Sequence, residues 1–258
     1  MNRIDQLFNE NPGEILSVYI TAGFPELNDT PALLRSLQEY GAHMVEIGIP
    51  FSDPLADGPV IQRSSHIALQ NGMNLKLLFS HLSGIRASVH IPLVLMGYLN
   101  PVLQMGMETF LQNCQDVGID GVIIPDLPPD EYEASYLDLF QRFGICNSLL
   151  ITPHTSPERI QKIARLSEGF LYMVADASTT GTKSAVGTHQ IEYFKRIRKM
   201  NLPIPGLIGF GISNHDSFMT ACKYARGAIL GSAFIKAIGE EGPLEKKVEE
   251  FIHSIKGR

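Results

Sequence analysis

Val45-Glu46-Ile47-Gly48-Ile49-Pro50-Phe51-Ser52-Asp53-Pro54-Leu55-Ala56-Asp57-Gly58-Pro59 changes character half-way along. It begins as an apolar run with one carboxylate, Glu46, inside it. It then becomes a loop with three prolines, two further carboxylates and a glycine. A short apolar run bounded by Gly and Pro reads as a buried strand. A charge inside such a strand is costly unless it is paired, protonated or used in chemistry. Pro50, Pro54 and Pro59 stiffen the loop, which suits holding a second carboxylate, Asp57, at a fixed distance from the first.

The same alternation extends in both directions. Upstream, residues 2–11 read as a short amphipathic helix, Leu16–Thr21 as a strand and Asp29–Tyr40 as a helix stopped at Gly41. Downstream, helices are expected over Ile61–Asn71, Leu75–Ser88, Glu108–Val117, Glu131–Phe143 and Ser156–Leu166. A basic helix ending at Met200, a helix over Asn214–Lys223 and helical chain from Phe234 onward complete the set. Strands are expected over His43–Gly48, Pro92–Gly97, Gly121–Pro125, Cys146–Ile151, Phe170–Val174, Gly206–Gly209 and Ala228–Leu230. Many of these strands are solidly apolar, the pattern of a parallel sheet buried on both faces. Eight strands alternating with helices, with no linker or low-complexity tract, predict a single (β/α)8 barrel over residues 1–258 with an extra N-terminal helix. A doubly wound open sheet is the alternative, but no GxGxxG follows the first strand.

Composition narrows the function. The 258 residues are 44% hydrophobic and 19% charged, with a net charge of −6, a balance that argues against nucleic acid or a membrane surface as partner. Cys114, Cys146 and Cys222 are scattered without CxxC spacing, so neither a disulfide framework nor a zinc site is expected. The N-terminus lacks a signal-peptide core, and the longest apolar run, near Ile91–Leu99, falls well short of the ~20 residues that span a bilayer. A reducing, cytoplasmic setting is expected.

In a barrel, chemistry gathers where strands end. Glu46, within or near the end of the second strand, and Asp57, in the loop after it, fit acid–base work, because burial can raise a Glu pKa toward neutrality. Two glycine turns follow the last two strands, Gly209-Phe210-Gly211-Ile212-Ser213 and Gly231-Ser232. Loop amides and a helix N-terminus there are suited to a phosphate group. The polar stretch Ala177–Ser184, after the sixth strand, is a candidate lid. Tyr19, Tyr98, Tyr172 and Phe210 could line a pocket for a flat apolar ligand. The histidines show no metal-ligand spacing, so no metal is expected.

At these residues the chain resembles the tryptophan synthase alpha chain family. The 45–59 stretch looks like that family's signature. Leu95-Met96-Gly97-Tyr98-Leu99-Asn100-Pro101, Pro125-Asp126-Leu127-Pro128, Gly209-Phe210-Gly211-Ile212-Ser213 and Gly231-Ser232-Ala233 extend the match through almost the whole chain. The resemblance implies cleavage of indole-3-glycerol phosphate to indole and D-glyceraldehyde 3-phosphate, with no cofactor in this chain. It also implies a partner, a beta chain carrying pyridoxal phosphate, in an alpha2-beta2 tetramer. It implies Glu46 as the acid–base residue and Asp57 as the partner of the indole N–H. It implies a phosphate clamp of Gly181, Gly211, Gly231 and Ser232, and contacts from Tyr98, Tyr172 and Phe210 with Tyr19, Thr180 and Ile229 nearby. The loop holding Asp53 and the region from Asn100 to Asp126 would face the beta chain. One departure stands out: the family commonly has Gly-Val-Thr-Gly in the lid, whereas Asp176-Ala177-Ser178-Thr179-Thr180-Gly181 keeps only the Thr-Gly.

Two other readings compete. One is a catalytically weak regulatory subunit that binds and activates a beta chain, against which the intact Glu46, Asp57 and phosphate glycines count. The other is a sugar-phosphate isomerase on the same fold, which gives no reason for the Pro-rich loop.

Overall fold

The computed structural model of the chain describes residues 2–175 and 187–258. Its strands are β1 (Ile15–Thr21), β2 (Met44–Gly48), β3 (Leu93–Met96), β4 (Gly121–Ile123), β5 (Cys146–Asn147), β6 (Leu150–Ile151), β7 (Leu171–Val174), β8 (Gly206–Gly209) and β9 (Gly227–Leu230). All pairings are parallel, and the sheet order runs β5-β4-β3-β2-β1-β9-β8-β7-β6. Its two end strands, β5 and β6, are the halves of one extended segment. Ser148 N–H donates to the Val122 carbonyl on one side, and Tyr172 N–H donates to the Leu149 carbonyl on the other. The sheet therefore closes on itself as an eight-position barrel. The strand expected over Cys146–Ile151 is present but bonds one neighbour with its first half and the other with its second.

Side chains alternate across the barrel wall, as the two-residue period of a strand requires. Val45, Ile47, Leu95, Val122, Ile208 and Leu230 point toward the surrounding helices in one large cluster. Ile15, Met44, Val94, Met96, Ile123, Tyr172, Leu207 and Ile229 fill the interior in another. The N-terminal helix, Arg3–Glu10, is capped by the Asn2 side chain, which accepts from Ile4 N–H, and it buries Ile4, Leu7 and Phe8 in that interior cluster. Ile4 lies so close to the start of β4 and to the chain just before β7 that a Cβ at Gly121 or Gly169 would come within 2.9 Å of it. The helix thus stoppers the end of the barrel where the strands begin. Asp120 anchors this end by accepting from Arg3 Nη1 at 2.9 Å, from Leu93 N–H at 2.9 Å and from the half-buried guanidinium of Arg86.

Most helices lie where the periodicity puts them; four segments differ. Leu99–Met105 forms a helix that the sequence reading passed over. The helix expected over Leu75–Ser88 stops at Leu82, because Gly84 takes a left-handed conformation (φ 73°) before a short 3-10 turn at Ile85–Ala87. The helix expected over Glu131–Phe143 contains a π turn at Tyr132–Tyr136 that precedes Leu137–Phe143, with Leu137 N–H reaching back to the Tyr132 carbonyl. The C-terminal helical chain starts at Ser232 and is two helices, Ser232–Gly239 and Leu244–Lys256.

Candidate active site

Glu46 is the middle residue of β2, in register with Tyr19 on β1 and Val94 on β3. Its side chain is fully buried. Oε1 accepts a hydrogen bond from the Ser17 hydroxyl at 3.2 Å, while Oε2 has no partner among the described residues. Burial pushes the Glu46 carboxyl up to about 8, against the smaller opposing effect of the Ser17 hydrogen bond. At neutral pH the group is therefore mostly a carboxylic acid, able to give a proton and then to take one.

Asp57 reaches the same region from the loop after β2. Its Oδ2 accepts from the Tyr98 hydroxyl at 3.0 Å. Burial raises it to about 6, and the Tyr98 hydrogen bond pulls the other way. The loop is held by more than its prolines. Asp57 N–H donates to the Pro54 carbonyl at 3.0 Å, and Gln62, in the first turn of the helix Pro59–Gln70, donates to the Asp57 carbonyl at 2.8 Å. Tyr98 in turn stacks on Phe51, ring centroids 5.2 Å apart. Tyr19, Ile49, Phe51, Asp57, Met96 and Tyr98 line one cleft at this end of the barrel. The two carboxyls thus end up with pKa values separated by environment, an arrangement found where acid and base roles are divided.

Two tyrosines share a packing device. The Tyr19 ring lies diagonally over Gly48, so that a Cβ there would sit 1.9 Å from the Tyr19 hydroxyl; Tyr172 lies over Gly209 in the same way, at 2.3 Å. In each pair the glycine ends the neighbouring strand, two residues beyond the tyrosine's register partner. Only a residue without a side chain leaves room for the ring there. Burial above all raises the pKa of both phenols, with Glu46 and Asp57 adding to the effect, so both are neutral hydrogen-bonding groups.

Phe210 packs edge-on against Tyr172 at 6.1 Å. Phe210 and Gly211 are both left-handed, φ 67° and 76°, and such a conformation costs a non-glycine residue on the order of 1 kcal/mol or more. Gly231 lies beside the Tyr19 ring at ordinary contact distance and precedes the helix Ser232–Gly239, whose first turn carries no acidic residue. Ile229 sits in the interior cluster. The structure therefore brings together Glu46, Tyr19, Tyr172 and Ile229 inside the barrel and Asp57, Tyr98, Phe210 and the Gly231-Ser232 turn at its strand ends. Gly211 lies on the turn after β8. Thr180 and Gly181, with the whole Asp176–Gly181 departure, lie outside the described residues. No cluster of three or more metal-ligating side chains occurs among the described residues.

Ser17 and Phe51 were not singled out from the sequence. Ser17 stood two positions before Tyr19 on the same strand face, so the two-residue period was a signal that could have placed it inside the barrel.

Comparison with known proteins gives a consistent answer. Residues 6–256 match the family model described as tryptophan synthase alpha chain. The alpha chain of Flavobacterium johnsoniae is 52% identical over 256 residues, covering 99% of this chain and 100% of that one. That of Bacteroides fragilis is 50% identical, covering 96% of this chain and 94% of that one. Among solved structures, the alpha chain from Legionella pneumophila superposes with a TM-score of 0.88 at 32% identity, covering 100% of this chain and 97% of that one. A chain of the Pyrococcus furiosus tryptophan synthase complex superposes with a TM-score of 0.87 at 32% identity, covering 95% and 99%. A match that runs through nearly every strand and helix, on a barrel whose second strand carries Glu46 and whose next loop carries Asp57, leads to one assignment: the chain belongs to the tryptophan synthase alpha chain family.

Proposed function

We propose that Glu46 is the acid–base residue and Asp57 the anchor of the indole nitrogen in the cleavage of indole-3-glycerol phosphate. The protein is the alpha subunit of tryptophan synthase, a carbon–carbon lyase that releases indole and D-glyceraldehyde 3-phosphate. It needs no cofactor of its own, and the pyridoxal phosphate belongs to the beta chain that receives the indole. The buried, protonated Glu46 gives its proton to indole C3, and the ring nitrogen becomes positively charged. Ionised Asp57 holds the indole N–H and stabilises that charge. The Glu46 carboxylate then takes the proton of the hydroxyl on the carbon attached to C3. Its O–H electrons form the aldehyde, and the C–C bonding pair returns to the ring. Glu46 ends as it began, so the net change is the broken C–C bond, the new C=O and one proton moved from oxygen to indole C3.

The observation that carries this reading is the unpartnered Oε2 of a fully buried Glu46 in a barrel that also holds Asp57 at its strand ends. The Gly231-Ser232 turn, with Gly211 and Gly181, would hold the phosphate, and Thr180 would lie near the indole or glycerol portion. Tyr98, Tyr172 and Phe210 would contact the indole or glycerol portion, with Tyr19 and Ile229 nearby. Residues 1–258 would work as one barrel domain. The exposed Leu55 and Leu103 belong to the two segments assigned to the beta chain and support a docking face there, in an alpha2-beta2 assembly. No helix among the described residues is long and apolar enough to cross a membrane, and we place the enzyme in the cytoplasm.

The test is indole release from indole-3-glycerol phosphate by the purified chain, with and without a beta chain. Slow turnover alone and a large gain with the partner are expected, both lost in Glu46→Gln. Normal turnover by that variant would remove the assigned acid–base role. No turnover by the natural chain in either condition, with beta-chain binding retained, would favour a regulatory subunit.

A further inference from the structure

Ser17 is a polar residue in an otherwise apolar layer. It lies in the middle of β1, fully buried, with Met44 and Ile229 as its register partners on β2 and β9. A buried hydroxyl in such surroundings is costly unless it is bonded. Its hydrogen bond among the described residues goes to Oε1 of Glu46, at 3.2 Å.

That bond breaks the symmetry of the carboxyl group. Oε1 is tied to the β1 strand, and Oε2 is left without a partner among the described residues. Among the described residues, the titratable groups facing Glu46 are the phenols of Tyr19 from β1 and Tyr172 from β7, both of which also sense the carboxyl of Asp57. The facing residues of β3 and β9 are the apolar Val94 and Ile229. No Lys, Arg or His is buried among the described residues. With no buried cation among the described residues to steady the ionised form, the Ser17 hydroxyl, rather than either phenol, is the neutral donor bonded to the carboxyl.

We propose that Ser17 is a positioning residue for the lyase reaction, anchoring Oε1 of Glu46 so that Oε2 is presented to indole C3 and to the glycerol hydroxyl. This inference rests on the acid–base role proposed for Glu46. The Ser17 hydrogen bond also holds the Glu46 carboxyl lower than burial alone would set it. Its loss therefore moves the Glu46 titration to higher pH.

The experiment compares Ser17→Ala, Ser17→Cys and Ser17→Thr with the natural chain in complex with the beta chain, and runs Glu46→Gln alongside. Indole release is followed as kcat and KM against pH. The carboxyl stretch of Glu46 is followed by infrared difference spectroscopy against Glu46→Gln. The expected result for Ser17→Ala is a kcat lowered about tenfold, the effect of one lost hydrogen bond to a reacting group, with KM little changed. The Glu46 limb of the profile and its infrared titration should both move to higher pH. Thr, which keeps the hydroxyl, should restore both; Cys, of similar size but a weaker donor, should fall between. Unchanged kcat and titration in Ser17→Ala would overturn the proposal. So would a lowered kcat with an unmoved titration, which marks Ser17 as packing only. If Ser17→Ala does not fold, the ordering of Cys and Thr decides in the same way. An active Glu46→Gln would instead remove the acid–base reading itself, whatever Ser17 does.

Discussion

The Tyr98 hydroxyl donates to Oδ2 of Asp57 at 3.0 Å and accepts the backbone N–H of Ala56 at 3.0 Å. One side chain from the start of the helix after β3 thus fixes both the carboxylate and the loop that carries it. Tyr98→Phe should lower kcat/KM roughly tenfold or more, since a hydrogen bond to a charged group contributes about 1.5–3 kcal/mol. The bond favours ionised Asp57, whose carboxyl stands near 6. Its removal should shift the rising limb of the pH profile upward. Steady-state kinetics between pH 5 and 9 check both effects, and an unmoved rising limb would separate Tyr98 from the ionisation of Asp57.

Glu46 carries a stability cost that depends on pH. Its carboxyl is raised to about 8 in the folded chain from an ordinary 4.5. Between those values the folded state keeps a proton that the unfolded state has lost, so folding is linked to proton uptake and stability falls as pH rises. Glu46→Gln removes that dependence. The variant should be inactive yet more stable than the natural chain at pH 8 and above, by on the order of 5 kcal/mol at most. The gap should vanish toward pH 4. Urea unfolding at several pH values measures it; a gap that stays constant with pH would mean that Glu46 ionises normally in the fold.

Gly48→Ala puts a methyl group where the Tyr19 hydroxyl lies, 1.9 Å away. Ring displacement inside a packed barrel should cost about 1–3 kcal/mol and reduce turnover. Tyr19→Ala in the same chain should recover part of that stability but not the activity. Thermal unfolding of the two single variants and the double variant gives the coupling directly. Additive losses would show that the ring and the glycine do not meet.

Leu103 is 49% exposed on the helix Leu99–Met105. Leu103→Glu should weaken beta-chain binding by about tenfold or more, as the loss of an apolar interface anchor does. The slow turnover of the isolated chain should be unchanged. Titration of the variant with beta chain, read as activation, tests this; full activation at the natural concentration would move the docking face elsewhere.

Much of this architecture was legible because its signals are local. Apolar runs bounded by glycines marked β1, β2, β3 and β7, and Glu46 was conspicuous as a charge inside such a run. Asp57 was legible as a carboxylate among prolines. What was not legible depends on distant segments meeting. Nothing in the neighbourhood of Tyr98 announces that its hydroxyl will find Asp57 on the loop after the adjoining strand. Ser17 looked like an ordinary strand residue until β2 was laid beside it. The helix Leu99–Met105 was missed because Asn100-Pro101 reads as a turn, although a proline in the first turn of a helix costs nothing. The left-handed Phe210 was hidden as well, since a phenylalanine gives no hint of a conformation that glycine usually takes.

The pairing of β1 with β9 has a consequence for synthesis. Ile15 lies beside Gly227, whose Cα hydrogen faces the Ile15 carbonyl so closely that a Cβ would overlap it. Arg226, one residue earlier, donates to the carbonyls of Phe8 and Asn11 at the end of the first helix. The first strand therefore waits on the ribosome with one edge bare until the more than two hundred residues that separate it from β9 have been made. A nascent chain halted before β9 would expose that edge to any other extended segment nearby.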